Sequence, residues 1–453
     1  MSHKNAPISV PRSPATNNVI IDGVLRFPSM GLKALVVGAG IDGLMTALEC
    51  WRKGIEVEIV EKTSKASTLG DIFALGPSAS TTIYYYHIML KEYDEIAYDT
   101  QVSFASRSGT PVMPLTEFEW NREGVAQHSA YPLRIKSVCG RSDYSEMLFN
   151  QCKRLDIPMT FGVMVDSYEK DIVKGTATAV ASDGRRFTAD ILIAADGGIG
   201  TKSHAMTLGH PVKALKTGFV DYRAMYSTEL LKGVAVAEDA IRDLEKPVLN
   251  FLSAHKRHSV FILAKDRVSI GLTTEMLQED NTAIESWSST VSNKRVLATL
   301  PEPETWSPLL REIIHHAPEQ SINRRSLCFR DPQPSWSSAG GRIVQLGDSA
   351  HSFLPTSGNG AYVHQEVDVD KAAQGGPPLQ MGKLLWSHNP EKYASDNFYQ
   401  ARAHIENGTT FENTNLPPGH KWKDWTMEEE LFKQREGIVT IQELKNNGDW
   451  SPV

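Results

Sequence analysis

The chain has only four cysteines in 453 residues, Cys50, Cys139, Cys152 and Cys328. They are too scattered for a disulfide framework or a thiolate metal site, and they fit a reducing, cytosolic setting. No apolar stretch approaches the roughly 18 residues that a membrane span needs. Met1 to Asn18 has no apolar segment of the kind that a secretory signal carries. A basic excess is missing too: 47 Lys and Arg stand against 54 Asp and Glu, a net charge of −7. That balance argues against a nucleic-acid partner, which would favour a basic face. There is no internal repeat. His315-His316 reads as a solvated helix end, so no metal is expected, and the glycosylation pattern Asn407-Gly408-Thr409 is expected to be silent. A hydrophobic content of 41% and a charged content of 22% suit a soluble globular enzyme. The length allows two closely joined regions with a sizeable core.

Against these absences stand two glycine-rich segments. In the first, the apolar run Leu35-Val36-Val37 leads into Gly38, Gly40 and Gly43. Gly38 permits a tight turn out of a buried strand, Gly40 lets backbone approach a pyrophosphate, and Gly43 lets the next helix pack close to the strand. That helix is expected from Leu44 to about Lys53, with Leu44, Ala47, Leu48 and Trp51 at helical spacing. Its N-terminal amides and dipole would face phosphates. Val57, Ile59 and Val60 then read as a second strand ending at Glu61, whose carboxylate can accept both hydroxyls of an adenosine ribose. An acid at that point disfavours a phosphorylated ribose, so NADP is not the expected occupant.

The second segment begins with the run Ile343 to Leu346, read as an apolar strand, and continues through Gly347 and Asp348. An Asp at a strand end can accept a ribityl hydroxyl, and the glycine-rich stretch from Ser357 to Gly360 exposes amides that can approach a flavin ring. Ser349 is not read as a hydrolase nucleophile, because the nucleophile elbow needs Gly where His351 stands.

Between these fingerprints, strands are expected at Phe161 to Val165 and Ala177 to Ala181, with a hairpin turn at Asp183-Gly184. Residues 187 to 195 lead into Asp196. From about 211 the pattern becomes a run of strands: Val220 to Ser227, Val248 to Leu252, Ser259 to Leu263 and Arg267 to Leu272. Helices are expected at about 282 to 298, 307 to 316, 391 to 405 and 427 to 445.

These motifs in this order resemble the single-component FAD-dependent aromatic monooxygenases, the salicylate- and para-hydroxybenzoate-hydroxylase-like group. GDSAHSFLPTSGNGA is similar to that family's GD motif, and ADILIAADGGIGTKSH to its DG motif, with Asp196 and Gly197 as the matching pair. VCGRSDYSEML resembles the helix whose Arg reaches the FAD, which makes Arg141 the match. The tail from Ser387 resembles fungal members that tailor polyketides. The resemblance implies an α/β fold: a discontinuous Rossmann-like FAD-binding domain with an inserted, mostly antiparallel β-sheet substrate domain. The corresponding boundaries are 31–210 with 325–375 for the FAD-binding domain and 211–324 for the substrate domain. A flexible arm, 1–30, precedes them and a helical segment, 376–453, follows. FAD contacts are expected from Gly38, Gly40, Gly43, Glu61, Gly70, Arg141, Asp196, Asp348, Gly358, Gly360 and Ala361.

The implied chemistry uses NAD(P)H to reduce FAD and O2 to hydroxylate a phenolic, polyketide-derived small molecule in secondary-metabolite biosynthesis. Arg223 is the candidate for favouring a phenolate, with Tyr222 and Tyr226 nearby as weaker ones. Their competing roles are an ion pair and simple packing. His351 is read as orienting its loop. Three departures from the family stand out. Gly200 and Ser203 replace its usual Ser and Arg, with Lys202 and His204 as partial substitutes for the lost charge. The segment after Ala361 lacks the family's long helix, and the N-terminal arm is an extension. The alternatives are an FAD-binding paralogue with impaired turnover and a flavin epoxidase or ring-rearranging enzyme of the same fold. No membrane or nucleic-acid partner is expected, and the oligomeric state is open.

Overall fold

In the computed structural model the described residues are 18–65, 70–122, 135–197, 200–212, 214–254, 257–276, 289–331, 333–351 and 389–412, with a few isolated positions beyond. The fold is α/β. Five parallel strands form one sheet in the order Met159–Phe161, Glu56–Glu61, Lys33–Val37, Ile191–Ala194, Ile343–Gln345. In chain order the first strand lies in the middle, and the chain winds outward first to one side and then to the other. Ligands of such sheets bind outside the carboxyl ends of the strands, at the point where the winding reverses. Here that point lies between Val37 and Ala194, which pair directly.

The helix Ile41–Arg52 covers this sheet, burying Leu44, Ala47, Leu48 and Trp51. It starts three residues earlier than its apolar spacing suggests, because Gly40 is extended and serves as its N-cap. The glycine at 43 therefore lies inside the first turn. Gly54, at φ +81°, ends the connection to the next strand, and a Cβ there would lie 2.0 Å from the Pro28 carbonyl oxygen. Burying a side chain such as Leu48 contributes about 2 kcal/mol, so this one face anchors the helix.

The second large element is an eight-stranded sheet with one parallel pair. Its centre is the long strand Leu215–Ser227, flanked by Ile322–Phe329 and by Arg267–Glu275, which continues into Arg257–Leu263 and Val248–Ala254. Gln101–Ser106 and Thr116–Glu117 extend it at one edge and Thr290–Val291 closes the other, so the sheet also draws on chain well before residue 211. Alternation along Leu215–Ser227 sends Val220, Tyr222, Ala224 and Tyr226 into an apolar cluster with Trp306, Leu310, Ile313 and Ile314. Pro308–His315 supplies most of those helical partners.

The hairpin at Asp183-Gly184 forms as the sequence suggests, joining Thr176–Ala181 to Arg186–Ala189 in antiparallel register. The expected helix over 282–298 is different in its described part. Thr290–Val291 is a short strand, and the helix is confined to Asn293–Leu297, where the Ser292 side chain accepts from the Arg295 amide as an N-cap. Pro390–Asn407 is a helix, close to the expected 391–405. The expected helix over 427–445 lies almost wholly outside the described residues.

Candidate active site

The turn after Lys33–Val37 is built around its glycines. At Gly38, φ is +108° and a Cβ would stand 2.2 Å from the Ala195 carbonyl oxygen. At Gly43 it would stand 1.9 Å from the Gly38 carbonyl oxygen. Gly40 differs: it is exposed, and a Cβ there would meet nothing within 4 Å. Two glycines thus allow close packing and the third leaves backbone open beside the helix N-terminus, where amides attract an anion. Glu61 finishes the next strand, its carboxylate accepting from the Ala39 amide at 2.7 Å and the Thr63 amide at 2.9 Å. These bonds fix the carboxylate beside the turn.

The segment Gly70-Asp71 closes another side. Gly70 has φ +145°, and a Cβ there would lie 2.8 Å from the Arg141 Cβ, so the arginine stem lies directly over it. The Arg141 amide donates to the Asp71 carbonyl at 2.6 Å. Arg141 opens the helix Arg141–Arg154, and burial lowers its pKa while Asp71 opposes that shift. Asp348 and Asp42 act on the same guanidinium, which places the first helix, the GD turn and Arg141 around one space. Asp42 is crowded by protein on its inner side. That crowding and then Asp348 raise its carboxyl pKa, while Arg141 and His351 oppose.

Asp196 follows Ile191–Ala194. One of its oxygens accepts from the Tyr168 hydroxyl at 2.7 Å and the Lys202 amide at 3.1 Å. Its other oxygen, Oδ1, is buried and has no hydrogen-bond partner among the described residues. A buried carboxylate oxygen left open in this way is what a bound donor group would satisfy. Ser349 is fully buried, and its hydroxyl donates to the Ala194 carbonyl and accepts from the Leu346 amide at 3.1 Å. That geometry suits a lock on the turn and not a nucleophile. Gly358, Gly360 and Ala361 lie outside the described residues.

On the large sheet, Arg223 forms ion pairs with Asp71 and Asp221. Asp71 belongs to the nucleotide-side turn, so this pair joins the two regions. Both carboxylates hold the Arg223 pKa above its ordinary value, although burial pulls the other way and is the largest single influence. Tyr222 requires a correction. It is fully buried in the apolar cluster on the opposite face of the strand from Arg223, because neighbouring residues of a strand point to opposite faces. Tyr226 lies in the same cluster, its hydroxyl donating to the Ile313 carbonyl.

Sequence reading missed the row beside Arg223. His258, Thr273, Asp221 and Arg325 stand in direct cross-strand register over four strands. Thr273 donates to Asp221 at 3.2 Å. Burial lowers the His258 pKa, Asp221 opposes that shift and Arg223 adds to it. The signal that could have found the row was the alternation in Val220 to Ser227: every second residue is apolar, which leaves Asp221 and Arg223 together on the other face.

Residues 32–363 match the model of the FAD binding domain family. The chain belongs to this family of FAD-dependent monooxygenases. It is 30% identical to the FAD-dependent monooxygenase fsr3 of Gibberella fujikuroi over 94% of this chain and 91% of that one. It is 30% identical to the FAD-dependent monooxygenase mdpD of Emericella nidulans over 94% and 92%. Among solved structures, the fold is similar to FqzB, with a TM-score of 0.71 and 20% identity over 86% of this chain and 98% of that one. It is also similar to CtdE in complex with FAD and substrate, at 0.69 and 23% over 83% and 99%. FAD is therefore the cofactor, and the open Gly40 backbone, the placed Glu61 carboxylate and the vacant oxygen of Asp196 fit it.

One departure noted in the sequence is now corrected. His204 is poorly placed to replace a lost positive charge, because it is 1% exposed and burial, followed by Arg330, lowers its pKa. Lys202 remains exposed. Gly200 has nothing within 4 Å of a Cβ position, whereas Ser203 is fully buried. The alignment with fsr3 runs over 494 positions, more than the 453 residues of this chain. The relatives therefore carry residues that this chain lacks, while the irregular segment after Ala361 lies outside the described residues.

Proposed function

We propose that this monooxygenase hydroxylates a phenolic, polyketide-derived aromatic ring, with NAD(P)H as reductant. In balance, the ring C–H, O2, NAD(P)H and a proton give the ring C–OH, NAD(P)+ and water. When bound, FAD supplies the oxygen activation that no side chain provides. Fungal relatives named as FAD-dependent monooxygenases support the reaction class.

The observation that carries the aromatic reading is Arg223. A guanidinium has five N–H donors, and the contacts with Asp221 and Asp71 are made by Nε and Nη1. Nη2 has no hydrogen-bond partner among the described residues, so it is available to a phenol oxygen. Flanked by two carboxylates, Arg223 orients such an oxygen by hydrogen bonding more than by net charge. The row from His258 to Arg325 gives this face further polar groups, and the apolar cluster behind the sheet keeps the strand rigid. For the cofactor, the turn that Gly38 and Gly43 hold closed would receive the pyrophosphate at Gly40, and Glu61 the adenosine ribose. Arg141, Asp196 and Asp348 would surround the remainder, with Gly70 making room for Arg141. Four free thiols support a reducing, cytoplasmic setting.

The test is rapid mixing of the purified yellow protein with NADPH or NADH without oxygen, with and without phenolic polyketides. Bleaching that a phenol accelerates, followed by a hydroxylated product on admitting labelled O2, is the expected result. A second reading, an FAD-binding paralogue without turnover, is favoured by the residues this chain lacks relative to fsr3. It predicts bound flavin that neither nicotinamide reduces.

A further inference from the structure

Gln345 ends the Ile343–Gln345 strand, a position where an apolar residue would be expected to face the core. It is 2% exposed. A buried amide is tolerated only where its donors and acceptor are satisfied. Here Nε2 donates to the Ser203 hydroxyl at 2.8 Å and the Ser349 carbonyl at 3.0 Å, while Oε1 accepts from the Thr207 hydroxyl at 3.0 Å. Ser203 in turn shares a 2.7 Å hydrogen bond with Thr201. One side chain thus joins its own strand, the segment after Asp196-Gly197, and the turn that carries Asp348.

A second amide brackets the same segments through its NH2 group alone, its buried Oε1 having no hydrogen-bond partner among the described residues. Gln333 Nε2 donates to the Ala350 carbonyl at 2.8 Å and lies 2.9 Å from His204 Nε2. Burial lowers the His204 pKa, and in the tautomer with Nε2 unprotonated this nitrogen accepts. Ser203 and His204 are neighbours, as are Ser349 and Ala350. Two amides from different parts of the chain therefore stitch the same two segments at adjacent residues.

We propose that Gln345, with Gln333 as its companion, is a positioning residue for FAD. It sets the spacing between the Asp196-Gly197 turn and Asp348 without itself touching the cofactor. The bracket carries no charge, so it fixes the two segments without adding a field beside the flavin. The Ser at 203 is part of the device: a longer side chain could not occupy that fully buried place and leave the amide satisfied.

The test uses the full-length holoenzyme and reads FAD dissociation constant, visible circular dichroism of the bound flavin and thermal midpoint. Gln345→Met keeps volume and removes all three bonds. It is expected to weaken FAD by about tenfold or more and to change the flavin dichroism. Leu310→Ala, in the cluster behind the large sheet, is the control for lost stability alone. It is expected to lower the midpoint comparably while leaving FAD affinity within about twofold. Ser203→Ala and Thr207→Val each remove one bond and should weaken FAD more modestly. Ser203→Ala in the Gln345→Met background should add little, because the bond is already gone. If Gln345→Met does not fold, the two milder variants decide. Unchanged affinity and dichroism in the variants that fold, or a wild type that retains no FAD, overturns the proposal. The outcome does not depend on which ring is hydroxylated.

Discussion

Asp42 and Gly347 meet where the first helix and the GD turn come together: a Cβ at Gly347 would lie 2.0 Å from an Asp42 carboxylate oxygen. The two glycine-rich segments of the sequence, far apart in the chain, are therefore in contact. One cofactor gripped by both is the natural consequence of that contact.

The glycines of the first turn should separate folding from cofactor binding. Gly43→Ala forces a Cβ against backbone at 1.9 Å, which has no soft way out. A loss of about 2–4 kcal/mol in stability is expected, together with loss of flavin. Gly40→Ala meets no protein atom within 4 Å, so the apoprotein should unfold near the wild-type midpoint yet hold FAD weakly. Thermal unfolding with and without added FAD checks both.

Arg223→Met leaves Asp71 and Asp221 facing each other at 5% and 1% exposure. Removing one partner from a buried ionic cluster costs about 3–5 kcal/mol, and turnover should be lost with it. Adding Asp221→Asn should restore part of the stability but not the turnover. Chemical denaturation alongside steady-state kinetics separates the two effects.

Tyr222→Phe provides the contrast. The ring belongs to the apolar cluster, so kcat should stay within about twofold of wild type, with stability changed by less than about 1 kcal/mol. A collapse in kcat with FAD still bound would return Tyr222 to the site.

His204 and His258 are both held below the ordinary histidine value, first by burial. The unfolded chain therefore takes up these protons first. Their contribution is fully present above about pH 6.5, the unfolded value, and is lost as pH falls from there through the lower folded values. Stability should decline over that window, and His258→Gln should flatten part of the decline. Denaturation midpoints measured across the window show this directly.

Much of this was legible in the residues because the determinants were local. Gly38, Gly40 and Gly43 carry their own geometric reasons, Glu61 closes a strand, and Arg141 opens a helix where the motif requires it. The hairpin at Asp183-Gly184 needs only its turn. What escaped depended on partners distant in sequence. Tyr222 and Arg223 read as neighbours, yet strand alternation puts them on opposite faces. Arg223 reads as a phenolate partner with an ion pair as its competing role, but Asp71 approaches it from another part of the chain. Gln345 sat in an apparently apolar strand, because Ser203 and Thr207 become its partners only when the parallel sheet assembles. His204 was read for its charge, which burial disfavours.

The most direct test of the central claim is flavin absorbance on anaerobic mixing with NADPH or NADH in the presence of phenolic polyketides. A bound-flavin spectrum that bleaches, and does so faster with a phenol, is the result predicted here. Flavin that stays oxidised with both nicotinamides and every phenol would contradict it.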